Sequence, residues 1–254
     1  MRILLRALGL YASRKNMSGH NKWSGIKHRK GAQDAKRANT FTKLARLISI
    51  AAREGGGNPE MNFKLKMAID QARSFNMPKD NIERAIKGGT GELKDVAQIE
   101  EIMYEAYGPG NVAMLIKCAT DNRNRTVSEV KSILAKSGGK MANEGSVKFL
   151  FRQVGNIEVA VEEKDPYELE MLAIDAGAED TIYADGTIVV YTLPENLQQV
   201  RENLEKAKAK VEGAGLVWAP LQKSQIDADA KLDYEKLLEK LDENDDVQEV
   251  YDNL

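Results

Sequence analysis

The chain has 254 residues, 42% of them apolar and 30% charged, with one cysteine, two histidines and a formal net charge of −2. That length allows roughly one to three domains with filled cores, no run reaches the eighteen or so apolar residues of a membrane-spanning helix, and Cys118 with His20 and His28 cannot make an internal disulfide or a full structural zinc site. The near-neutral total hides a partition: residues 1–91 hold 19 Lys+Arg against 6 Asp+Glu and residues 92–254 hold 18 against 33, so a basic part in need of a polyanion precedes an acidic one.

Residues 1–16 carry four basic and no acidic side chains, the composition of a short transit peptide or of a stretch upstream of a start at Met17, and they are set apart from the fold. Gly19 to Gly31 follows, with Lys22, Lys27, Arg29 and Lys30, His20 and His28, and Trp23. Cations release counterions from a phosphate backbone and an aromatic face stacks on a base, so this segment is the leading candidate for a nucleic-acid contact. The plainer alternative is a solvated basic face with Trp23 packed on the domain that follows. Over 32–54, Phe41, Leu44, Ala45, Ile48 and Ala52 recur at helical spacing, with Lys36, Lys43, Arg46 and Arg53 on the other side. Lys36, Arg37 and Lys43 would extend the candidate contact along that helix. Gly55-Gly56-Gly57-Asn58-Pro59 stops it. Two further helices over 61–75 and 78–87 complete a basic helical domain spanning 17–91.

Past residue 96 the apolar period shortens to that of strands. Residues 99–107 and 111–119 flank Gly108-Pro109-Gly110, a hairpin turn that is also a candidate contact loop. A helix over 125–136 follows the capping cluster Thr120-Asp121-Asn122. Strands at 147–153 and 156–161, a helix over 166–176, a hairpin of 181–184 with 187–193 and a helix over 195–211 form a second unit. A strand at 216–221, a helix over 229–242 and a strand at 247–251 end the chain. The expected fold class is α+β in three domains: the helical bundle, then two α/β domains of ββα type. The last strands return to the sheet begun at 99, so the middle domain is discontinuous, at 92–140 plus 212–254, and encloses the third at 141–211.

Arg123 and Arg125 stand between a strand and a helix as secondary candidates for anion contact, alongside a capping reading of the same segment. Residues 227–252 hold eleven Asp+Glu against three Lys. They read as a solvated acidic helix with Leu232, Leu237, Leu238 and Leu241 turned inward, or as a far side that repels phosphate and orients the molecule. No phosphate-loop, dinucleotide, zinc-protease or serine-hydrolase motif occurs. Cys118 sits in the apolar run LIKCAT as a buried thiol. An enzyme, a cofactor, a metal and a small-molecule substrate are therefore not expected.

The runs SGHNKWSGIKHRKGAQDAKRANTFTKLAR, NFKLKMAIDQARSFNMPKDNIERAIKGGTGE and YEAYGPGNVAMLIKCATDNRNRTVSEV resemble the YebC family of bacteria and mitochondria, over residues 17–254. The resemblance implies a three-domain fold, a role in gene expression and association with the ribosome, including help through stall-prone, proline-rich stretches. It departs from the family pattern at Gly138–Glu144, where relatives read GGNLG. Three functions compete: an RNA- and ribosome-binding translation factor, a DNA-binding transcriptional regulator, and a scaffold for an acidic partner. An aromatic beside the most basic stretch suits irregular or single-stranded RNA, whereas DNA reading asks for an exposed recognition helix. The translation factor is the expectation, in the cytoplasm, or in mitochondria if 1–16 is a transit peptide.

Overall fold

The structure, a computed structural model, describes residues 34–93, 97–162, 165–184 and 186–254, with side chains from residue 38 onward. Among the described residues three helices come first, α1 (Asp34–Gly55), α2 (Phe63–Ser74) and α3 (Lys79–Thr90). They close on Leu44, Ile48, Leu65, Ile69, Met77 and Ile82. Asn62 does two jobs at the first corner. Its side-chain oxygen accepts from the Leu65 N–H at 3.0 Å to cap α2, and its amide donates to the Ala51 and Gly56 carbonyls at 2.8 and 2.9 Å, holding the end of α1. Helix α3 ends on Gly91 in the left-handed region, at φ 79°, a conformation that glycine adopts without steric cost.

The remaining elements are β1 (Glu100–Tyr107), β2 (Ala113–Thr120), α4 (Arg123–Lys136), β3 (Lys140–Met141), β4 (Phe151–Ala160), α5 (Pro166–Ala176), β5 (Asp180–Ala184), β6 (Thr187–Thr192), α6 (Leu197–Lys206), β7 (Lys210–Pro220), α7 (Ala228–Glu243) and β8 (Val247–Asp252). They make two antiparallel sheets, β3-β1-β2-β8 and β5-β6-β4-β7. Helices α4 and α7 cover one face of the first, with Val130, Leu134, Tyr234 and Leu237 over Met114, Ile116 and Cys118. Helices α5 and α6 cover the second, with Leu169, Val200 and Leu204 over Ile157, Ile188 and Val190. The second sheet runs βαββαβ, the split-βαβ arrangement of ferredoxin-like folds.

The expected α+β class, the helical start and the return of the last strand to the first sheet are all present. Three details differ. Residues 147–161 hold one long strand rather than two: a 3₁₀ turn at Lys148–Leu150 leads into β4, and Gly155 lies in mid-strand, where a Cβ would fall 2.1 Å from Thr192 Oγ1. That glycine marks close packing, not a turn. Helix α6 stops at Lys206, and Lys208 at φ 59° leads into β7, which begins at residue 210 and pairs with β4 over its whole length. Residues 212–220 therefore belong with the third domain, and only α7 and β8 rejoin the middle one. Finally, Gly108-Pro109-Gly110 makes the hairpin turn but is roofed by α7. Added Cβ atoms at Gly108 and Gly110 would lie 2.9 Å from the Tyr234 ring and 2.6 Å from Ile226.

Candidate nucleic-acid interface

Of the residues the sequence nominates, His20, Lys22, Trp23, Lys27, His28, Arg29 and Lys30 lie outside the described residues, as do the side chains of Lys36 and Arg37 in the first turn of α1. The leader at 1–16 lies outside them too. The structure does show what the basic segment leads into. From residue 43 to residue 52 no side chain of α1 is exposed, because the helix has partners on both sides. Its apolar face fills the bundle. Its polar face lies against the end of α7 and the turn into β8.

That second contact is built from charge and helix-end chemistry. The last carbonyls of an α-helix have no partner within it and carry the negative end of its dipole. Asn39 donates to the Glu243 carbonyl at 3.2 Å, and Lys43 donates to the Asp242 carbonyl at 2.6 Å and to its carboxylate at 2.9 Å. Lys43, expected on an exposed phosphate-binding face, is 9% exposed and directed inward. One turn further on, Arg46 reaches the Asp246 carboxylate at 2.7 Å and the Ala119 carbonyl at 3.1 Å. Asp242 and Asp246 are thus interface groups rather than members of a solvated acidic face. On α7 itself Leu237, Leu238 and Leu241 point inward as expected, but Leu232 is 57% exposed.

Asp246 is the hub. Besides Arg46 it receives Arg125 at 3.0 Å, Thr126 at 2.7 Å and Thr120 at 3.2 Å, with its side chain only 4% exposed. Burial alone would raise its pKa. The hydrogen bonds from Thr126 and Arg125 and the charges of Arg46 and Arg125 outweigh burial and hold the carboxyl below its ordinary value. Arg125, nominated for anion contact, is committed to this hub and to Asp121 at 2.9 Å. Arg123 pairs with Glu100 at 2.7 Å while most of its side chain stays exposed. Asn122 caps α4 by accepting from the Arg125 N–H. The capping alternative for this segment is the one its geometry matches.

A second cluster has no sequence signature. Glu105 of β1, 5% exposed, accepts from the backbone N–H groups of Gly145, Val147 and Lys148 at 2.6, 2.5 and 2.9 Å. Burial would raise its carboxyl, but the three N–H donors and the nearby Lys148 charge hold it below the usual carboxylate range. The clamped turn buries Val147 and turns Phe149 outward. Lys148 Nζ lies 5.0 Å from the Trp218 ring centroid. A strand reading of VKFLF gives no hint of this, because the carboxylate that bends it sits some forty positions upstream.

Comparison with known proteins matches residues 21–92 to the TACO1/YebC protein N-terminal domain and residues 99–254 to the TACO1/YebC second and third domain. A Thermotoga maritima protein named a probable transcriptional regulatory protein is 52% identical over 241 residues, 93% of each chain. One of the same name from Caldanaerobacter subterraneus is 46% identical over 94% of this chain and 98% of its own. Among solved structures, a conserved hypothetical protein of Aquifex aeolicus superposes with a TM-score of 0.85 at 47% identity, over 91% of this chain and 96% of that one.

Proposed function

The chain belongs to the TACO1/YebC family, and from that premise we propose that it is a regulator of gene expression acting as an RNA-binding, ribosome-associated translation factor in the cytoplasm. On this reading the contact surface is the segment holding His20, Lys22, Trp23, Lys27, His28, Arg29 and Lys30, continued by Lys36 and Arg37. The observation that carries it is the burial of α1. A helix that reads duplex DNA must offer an exposed face to the major groove, and the long basic helix here is covered on both sides between residues 43 and 52. The basic residues ahead of it are interleaved with an aromatic, which suits unpaired and irregular RNA. A binding role without catalysis fits the one thiol, Cys118, which burial first and the Asp246 charge second push up to about 12.

Sedimentation with ribosomal particles, with and without nuclease, tests the proposal. Co-sedimentation that nuclease releases supports it, and a chain that stays in the supernatant contradicts it. The second reading, a DNA-binding transcriptional regulator, is favoured by the names of the relatives. Retention on duplex DNA at salt concentrations that release single-stranded RNA would select it instead.

A further inference from the structure

Within the acidic part of the chain one segment is locally basic and aromatic. Lys140 to Arg152 holds three Lys+Arg against one Asp+Glu, in a region that elsewhere carries a large acidic excess. Phe149 is 67% exposed at its centre. This is not a loose loop: the Glu105 carboxylate holds the backbone on the N-terminal side of Phe149, and on the other side the Leu150 carbonyl accepts from the Leu221 N–H at 2.8 Å. Lys148 is steadied over Trp218, and Arg152 is exposed on β4. An exposed ring on a rigid turn, with one exposed cation next to it in the chain and another three residues on, is the arrangement on which an unpaired base stacks while its phosphates are met. The centre of a protein-binding patch is instead depleted of charge.

We propose that this segment, centred on Phe149 with Lys148 and Arg152 near it in the chain, is a base-stacking site for single-stranded RNA. It rests on the reading that the chain binds RNA, and it adds a contact on the α/β body to that of the N-terminal segment. In this arrangement Glu105 is a positioning residue, since it shapes the turn without meeting the ligand.

The test is equilibrium binding of the full chain to a short, end-labelled oligouridine at fixed salt. Phe149→Ala should weaken binding roughly 5- to 150-fold, the range for loss of one stacked base, and Phe149→Trp should keep it near the original. Lys148→Gln should weaken it less and make its salt dependence shallower. Because Phe149 is 67% exposed, the melting temperature of both Phe149 variants should stay at the parent's value. A comparison variant, Lys27→Gln/Arg29→Gln/Lys30→Gln, separates the two claims. If it loses affinity while Phe149→Ala binds like the parent, the Phe149 site is overturned and the RNA reading stands. If the parent chain does not bind the oligouridine, the RNA reading falls and the site with it.

Discussion

Asp246 joins four elements through one carboxylate, from Arg46 on α1, from Thr120 at the end of β2, from Arg125 and Thr126 on α4, and from its own place before β8. Removing it leaves Arg46, largely buried, without its carboxylate and Arg125 with Asp121 alone, and breaking a buried pair in this way costs about 3–5 kcal/mol. Asp246→Ala should therefore lose stability of that order in denaturant unfolding at neutral pH. Because the folded pKa is depressed, the contribution of Asp246 is full above the unfolded value of about 3.9 and is lost as pH falls through the lower folded value. The gap between parent and variant should accordingly narrow below about pH 4. A gap of constant size down to strongly acid pH contradicts the ionised hub. Glu105 makes a similar but more local case. Glutamine offers one acceptor oxygen and an amide that is itself a donor, so Glu105→Gln leaves at least one of the three N–H groups facing the wrong partner. The expected loss is about 1.5–3 kcal/mol, with faster amide exchange at Val147 and Lys148 as the local sign. Unchanged exchange at those two amides would mean that the turn holds itself.

At the level of elements, α1 and α3 approach closely, where a Cβ at Gly89 would lie 2.2 Å from the Ser49 carbonyl oxygen. Ser49 Oγ donates to the Ala85 carbonyl at 2.8 Å across the same seam. Backbone cannot step aside as a side chain can, so Gly89→Ala should cost about 1–3 kcal/mol or more, read as a lowered melting temperature. A variant that melts like the parent would mean that the two helices are not in this contact. The elements legible from sequence are those whose pattern is set by their own residues. Helix α5 spans 166–176 as its sequence suggests, capped by Asp165 and by Gly177 in the left-handed region, and β1 and β2 pair across a glycine-proline turn. Others take their form from distant groups. β7 begins at residue 210 rather than 216, because β4 supplies its pairing. The turn at Lys148–Leu150 is bent by Glu105. The polar face of α1 is visible as a pattern, but a pattern of cations does not say whether they meet solvent or the carbonyl end of another helix.

For the whole molecule, the charge partition and the docking of α1 act together. The helix that follows the basic segment is fixed to the middle domain through Lys43, Arg46 and Asn39, so the Asp242 and Asp246 carboxylates are occupied in holding the domains together. Of the nominated binding residues the structure reassigns Lys43 and Arg125 to internal ion pairs, which concentrates the candidate interface on residues 20–37. The central claim is that this segment binds single-stranded RNA through its cations, and the most direct measurement is the salt dependence of affinity. The full chain and its Lys22→Gln/Lys27→Gln/Arg29→Gln/Lys30→Gln variant would be titrated with an unstructured RNA. Each cation on a single-stranded phosphate contributes about 0.7 to the slope of log affinity against log salt. The variant should therefore be weaker and its slope shallower by about 3, with its unfolding unchanged. Superimposable titrations of the two proteins would contradict the account.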